Sequence, residues 1–192
     1  MNDFLRDLVR ETLQNPRAAA RRLIGLQLDP ASVWAAFGAV VALSAGLGWL
    51  SIAATPVATA GVVPAAEVTP LSIAGVQAGS LLTLAILASF GGRIFGGQGT
   101  FLEALTLAVW LEFLLILLQI VQLLVMVIFP FSSVLIGLLG MVVFLWLLTN
   151  FVAELHGFQS LGKTFLGVIL GFFLAGMVAM MILGPNLAQQ GM

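Results

Sequence analysis

The sequence predicts an all-α integral membrane protein, five transmembrane helices behind an N-terminal amphipathic helix on the cytoplasmic face. Three observations carry this. Of the 192 residues 61% are hydrophobic and 8% charged, with a mean hydropathy of +1.16, where a soluble domain has about 25% charged residues. Apolar runs of the length that crosses a hydrocarbon core of roughly 30 Å recur five times, separated by Gly, Pro and polar clusters. All the Lys and Arg fall on one side of the resulting alternation. The organisation is a cytoplasmic segment 1–30, a transmembrane domain 31–184 and a short tail 185–192. The sequence has no Cys, which removes disulfides, thiolate metal sites and cysteine nucleophiles. No cleavable secretory signal is expected, because the first apolar run begins near Ala31.

Residues 1–30 hold most of the charge. Phe4, Leu5, Leu8, Val9 and Leu13 recur at helical spacing among Asp3, Arg6, Asp7, Arg10 and Glu11. Asn15-Pro16 reads as a cap followed by proline at the first helical position of a second short helix. That helix holds Arg17, Arg21 and Arg22 beside Leu23, Ile24, Leu26 and Leu28. Two compatible placements follow: a helix lying on the lipid surface, with Arg6, Arg10, Arg17, Arg21 and Arg22 facing the membrane, or a cap packed on the bundle. Asp29 or Ser32 caps the first span.

The spans are expected at 31–54, 71–90, 101–129, 134–155 and 164–183. Gly38, Gly46 and Gly48 in the first would allow close helix approach, as would Gly75/Gly79 in the second and Gly167/Gly171 in the fifth. Thr55–Pro70 is a proline-rich loop, and Gly91–Thr100 reads as a flexible glycine-rich connector. The latter lacks the Gly-Lys-Ser/Thr ending of a phosphate loop. With the N-terminus inside, the N-terminal arginines, Arg93 and Lys163 all lie on the cytoplasmic side, so the C-terminus is outside. An odd span count argues against a simple inverted-repeat transporter.

The third span, Phe101 to Phe129, organises the rest. Glu112, Gln119 and Gln122 share an arc of roughly 80° with Ala104 and Ala108 on the same face. Such a face calls for protein rather than lipid. The turn around Pro130 makes the third and fourth spans an antiparallel pair, in which residues at equal height have numbers summing to about 263. Glu112, Asn150 and Glu154 then form one polar layer, lined further in by Gln119 and Gln122. Arg93, Glu103, His156 and Lys163 form a cytoplasmic rim above it. The layer serves either as a proton or ion relay or, the reading preferred here, as hydrogen bonding between helices.

No catalytic residue, metal or cofactor is assigned. His156 is the sole histidine, all three Asp lie near the N-terminus, and no G-x-S-x-G occurs. Trp34, Trp49, Trp110 and Trp146 read as interface anchors or packing residues, and no basic–aromatic pattern suggests nucleic acid.

The segments GGQGTFLEALTLAVW and LWLLTNFVAELHGFQSLGKTFLGVILG, with Asn15-Pro16 and the five-span order, resemble the Yip family of Ypt/Rab-interacting membrane proteins, in its bacterial branch. The resemblance covers about residues 10–185. It implies a cytoplasmic N-terminus and a non-enzymatic membrane protein, and transfers no catalytic residue. Eukaryotic members bind Rab-type GTPases, but their Asp-Leu-Tyr-Gly-Pro motif does not occur here; Leu28-Asp29-Pro30 is the nearest counterpart. The expected role is a scaffold or interaction protein of the bacterial inner membrane, its partners the lipid bilayer and other membrane proteins or a second copy. The alternatives are a small proton- or ion-coupled transporter or channel, and an accessory subunit of a larger complex.

Overall fold

A computed structural model describes residues 2–54, 69–129 and 132–190. The described residues form helices without strands. Two short helices, α1 (Asn2–Gln14) and α2 (Pro16–Gly25), precede the long helices α3 (Pro30–Ala54), α4 (Pro70–Ile86), α5 (Phe101–Ile128), α6 (Ser132–His156) and α7 (Leu161–Gln190). Five of these are long and apolar enough to span a membrane: Pro30–Ile52, Pro70–Ile94, Phe101–Met126, Leu135–His156 and Leu161–Val178. Most of the expected Thr55–Pro70 loop and the Pro130-Phe131 turn lie outside the described residues.

Local chemistry sets the helix starts. Asn15 Oδ1 accepts from the Ala18 N–H at 3.2 Å, and Pro16 occupies a position that has no intrahelical N–H bond to lose. Thr69 and Thr100 open α4 and α5 with capping boxes, paired to Ser72 and Glu103 respectively. Asp29 accepts from the backbone N–H of Ser32 at 3.0 Å and from its hydroxyl at 2.6 Å, so α3 is capped by Asp29. These bonds, the hydroxyl's first, hold the Asp29 carboxyl below its ordinary range. A carboxyl depressed in the folded state stabilises above its unfolded pKa, and that contribution is lost as pH falls through the folded value. Acidification is therefore expected to lower the protection of the Ser32 and Val33 amides against exchange, relative to the unfolded chain at the same pH, and Asp29→Asn to remove that pH dependence while keeping the cap.

Two helix ends and one register differ from the sequence expectation. The second span does not stop at Phe90. A π-helical turn, Leu87–Gly91, and a final turn, Gly92–Ile94, continue α4 into the glycine-rich segment. The fifth helix runs through Gly184-Pro185 to Gln190. Continuing α4 keeps its backbone groups bonded within the chain, as lipid demands. The register of α5 against α6 is also shifted. Leu118 lies against Gly140 and Gln122 near Gly137, so facing residues sum to about 259. The hairpin is centred nearer residue 130, because α5 ends at Ile128 and α6 starts at Ser132.

α5 is central: it packs against α3, α4, α6 and α2, whereas α7 leans mainly on α6 and the π turn. Burial is concentrated at one end of the bundle, in the stretch from Ala104 to Ile116 of α5 and from Leu147 to His156 of α6. The α1–α2 hairpin closes that end through Leu8, Ala19, Ala20 and Leu23. Burying Leu8, 1% exposed, contributes about 2 kcal/mol to that docking. The expected close approaches at glycine are fewer than the sequence suggests. Gly48 faces Ile73, but nothing lies within 4 Å of a Cβ placed at Gly38, Gly46, Gly75, Gly79, Gly167 or Gly171.

Candidate functional site

Two polar constructions stand out, one at the capped end and one within the spans. At the capped end, Glu154 lies two residues before the C-terminal residue of α6, on the face that α2 covers. Its two oxygens accept from Arg17 Nε at 3.0 Å and Arg21 Nε at 2.7 Å. Arg17 also donates to the Phe158 carbonyl at 3.1 Å. Nearby in the hairpin, buried Thr12 donates to the Leu8 carbonyl and accepts from Trp110 Nε1 at 3.1 Å. Arg17 and Arg21 are thus spent on the bundle. Arg22 pairs with Glu11 at 2.9 Å and lies over the Phe4 ring, while Arg6 and Arg10 remain exposed. The hairpin is packed on the bundle through Arg17 and Arg21.

His156 is the C-terminal residue of α6. Gly157 follows with φ +69°, where a Cβ would be strained, and turns the chain so that the Phe158 N–H bonds the Ala153 carbonyl at 2.8 Å. Phe158 then stacks on the imidazole, with centroids 5.4 Å apart. Gly99 N–H donates to His156 Nδ1 at 3.2 Å, which leaves Nε2 as the donor to the Ala88 carbonyl at 2.7 Å. Ala88 belongs to the π-helical turn, where the ordinary helical hydrogen-bond ladder is interrupted. A Cβ at Gly92 or Gly97 would run into the imidazole, and one at Gly99 into Leu155. The glycine-rich segment is therefore a socket for His156 and not a loose connector. Arg93 braces it by donating to the Gly99 carbonyl at 3.0 Å.

Within the spans, Glu112 is 8% exposed and accepts from Gln77 Nε2 on α4 at 2.6 Å, with Ser44 of α3 beside it. Three helices converge on this carboxylate. Further along, Gln119 donates to Ser51 at 3.5 Å, and Gln122 lies beside Gly137 of α6. Asn150 turns back on its own helix, donating to the Trp146 carbonyl at 2.8 Å. Among the described residues no group of three His, Asp or Glu converges as metal ligands would.

The Yip1 domain model matches residues 10–183. The chain belongs to the Yip1-domain family. No curated protein and no solved structure matches it. The Yip1 match takes in Glu154 with both its arginines, the whole His156 socket and the Glu112 cluster. It places the chain among integral membrane proteins, in agreement with the five apolar helices.

The expected polar layer of this Yip1 domain does not assemble as one unit. Glu112 bonds to α4, Asn150 to its own helix, and Glu154 to α2. The four-residue register shift brings Glu112 level with about Leu147, a helical turn from Asn150. The rim also divides. His156 and Arg93 meet at the glycine socket, Glu103 caps α5 through Thr100, and Lys163 is exposed. Residues missed in the sequence are Thr12, Ser44, Ser51, Gln77 and the socket glycines. Gln77 carried a signal: it is the sole amide or charged side chain between Leu71 and Phe90, and lipid offers it no partner.

Proposed function

We propose that this Yip1 protein is a non-enzymatic scaffold of a bacterial inner membrane, presenting its N-terminal hairpin to other membrane proteins or to a second copy on the cytoplasmic side. One observation carries the reading. The hairpin is fixed to the bundle by Glu154, yet its outer side keeps Phe4, Leu5 and Leu13 exposed among the free Arg6 and Arg10. A rigidly held surface with apolar anchors and cations suits docking at the lipid boundary. The clustering of basic residues at this end supports its cytoplasmic orientation.

A second reading rests on Glu112, a carboxylate inside a span that accepts from the neutral Gln77. It would make the chain a proton- or cation-coupled transporter. Proteoliposomes separate the two. The scaffold reading expects no proton or sodium flux, and Glu112→Gln to leave oligomeric state and partner cross-linking through Leu13 unchanged. Flux in the wild type that Glu112→Gln abolishes would replace the scaffold by the transporter. Cross-linking through Leu13 that yields no discrete product would also sink the scaffold.

A further inference from the structure

Between the end of α2 and the first turns of α5 lies a cleft of about 230 Å³. Leu23, Ile24, Leu28 and Leu102 give it apolar walls; Gln27 and Glu103 give it polar edges. Its depth in the membrane follows from the chain. Gln27 lies three residues before the first span begins at Pro30, and Leu102 and Glu103 lie in the first turn of the third, which begins at Phe101. The cleft therefore sits where lipid headgroups meet acyl chains.

Its polar edges are unused in a particular way. Glu103 Oε2 accepts both the N–H and the hydroxyl of Thr100, each at 2.8 Å, while Oε1 is left over. Among the described residues no Lys or Arg pairs with Glu103; the ion pairs go to Glu154 and Glu11. Gln27 is held at φ +44°, an uncommon backbone for a residue with a side chain, and its side-chain amide makes no hydrogen bond among the described residues.

We propose that this cleft binds an aminophospholipid. The primary ammonium sits on Glu103 Oε1. The phosphate, two carbons further on, faces the Gln27 amide, and the lipid's methylene groups lie along Leu28 and Leu102. Charge selects this occupant. A carboxylate at the lipid boundary with no protein cation attracts an ammonium and repels an anionic headgroup. A quaternary headgroup carries the charge but lacks the N–H that Oε1 would accept. The site stands apart from the scaffold reading, since lipid selection needs no protein partner.

The test is native mass spectrometry of the full chain, delipidated in mild detergent and titrated with phosphatidylethanolamine, phosphatidylcholine or phosphatidylglycerol. Phosphatidylethanolamine is expected to be retained about tenfold better than the other two, the size of one charge-assisted hydrogen bond. Glu103→Gln is expected to erase that preference while keeping α5 capped, because glutamine serves equally at this position of a capping box. Leu28→Trp, a change at a half-exposed wall position, is expected to lower retention of phosphatidylethanolamine by filling the cleft. Equal retention of the three lipids by the wild type, or a preference that survives Glu103→Gln, would overturn the proposal. If Glu103→Gln does not fold, an unchanged preference in Leu28→Trp overturns it instead.

Discussion

His156→Ala is expected to cost the bundle about 3–5 kcal/mol, because it opens a void and orphans two backbone groups at once. The Ala88 carbonyl and the Gly99 N–H both lose their partner, and the glycines that make room for the ring are left facing empty space. Gly92→Ala is expected to be comparably harmful, since its Cβ enters the volume of the imidazole. The pair must then be strongly non-additive. In the His156→Ala background, Gly92→Ala should be close to neutral or even stabilising, because the obstacle is gone. Unfolding of the four variants in mixed detergent micelles gives the coupling energy directly. Additive effects would mean that the ring and the glycine are not in the contact described.

Glu154→Gln is expected to release the α1–α2 hairpin while leaving the spans folded. Two arginines lose their shared carboxylate and with it their charge-assisted bonds. The two arginines should not weigh equally. The Arg21 contact is shorter, 2.7 Å against 3.0 Å, but its side chain is 74% exposed against 29% for Arg17. Solvent screens the Arg21 bond, and Arg17 has the Phe158 carbonyl as a second acceptor. Arg17→Ala is therefore expected to loosen the hairpin more than Arg21→Ala, and added salt to weaken chiefly the Arg21 contribution. Limited proteolysis between Gln14 and Leu28 reads both effects. A larger effect of Arg21→Ala than of Arg17→Ala would show that length, not exposure, governs the pairing, and equal effects would mean that neither does.

Much of the architecture was legible because it follows from local rules. Span length, the Asn15-Pro16 start and the Asp29 cap each depend on a few neighbouring residues. The five spans needed only hydropathy. What stayed hidden was set by packing. Hairpin arithmetic places residues at a height, but a shift of four residues moves each by a full turn, and rotation about the axis stays free. Glu112 was therefore paired in expectation with Asn150, when its partner was Gln77 on a helix that the arithmetic never considered. The glycine-rich segment was misjudged for a different reason. A run of glycines marks either mobility or the near approach of a bulky group, and composition alone does not separate them. His156, which the sequence places only at the cytoplasmic rim, has both its nitrogens occupied by the backbone.

The uneven burial along the bundle bears on how this chain tolerates change. Near the hairpin, Leu105, Leu147 and Phe151 are almost wholly enclosed, so a lost or added methylene there strains several neighbours. Towards the opposite leaflet, Leu124, Leu135 and Leu138 face hydrocarbon, where one aliphatic side chain is nearly as good as another. Neutral drift is thus confined to one leaflet's depth, and the identity of the molecule is kept in the other.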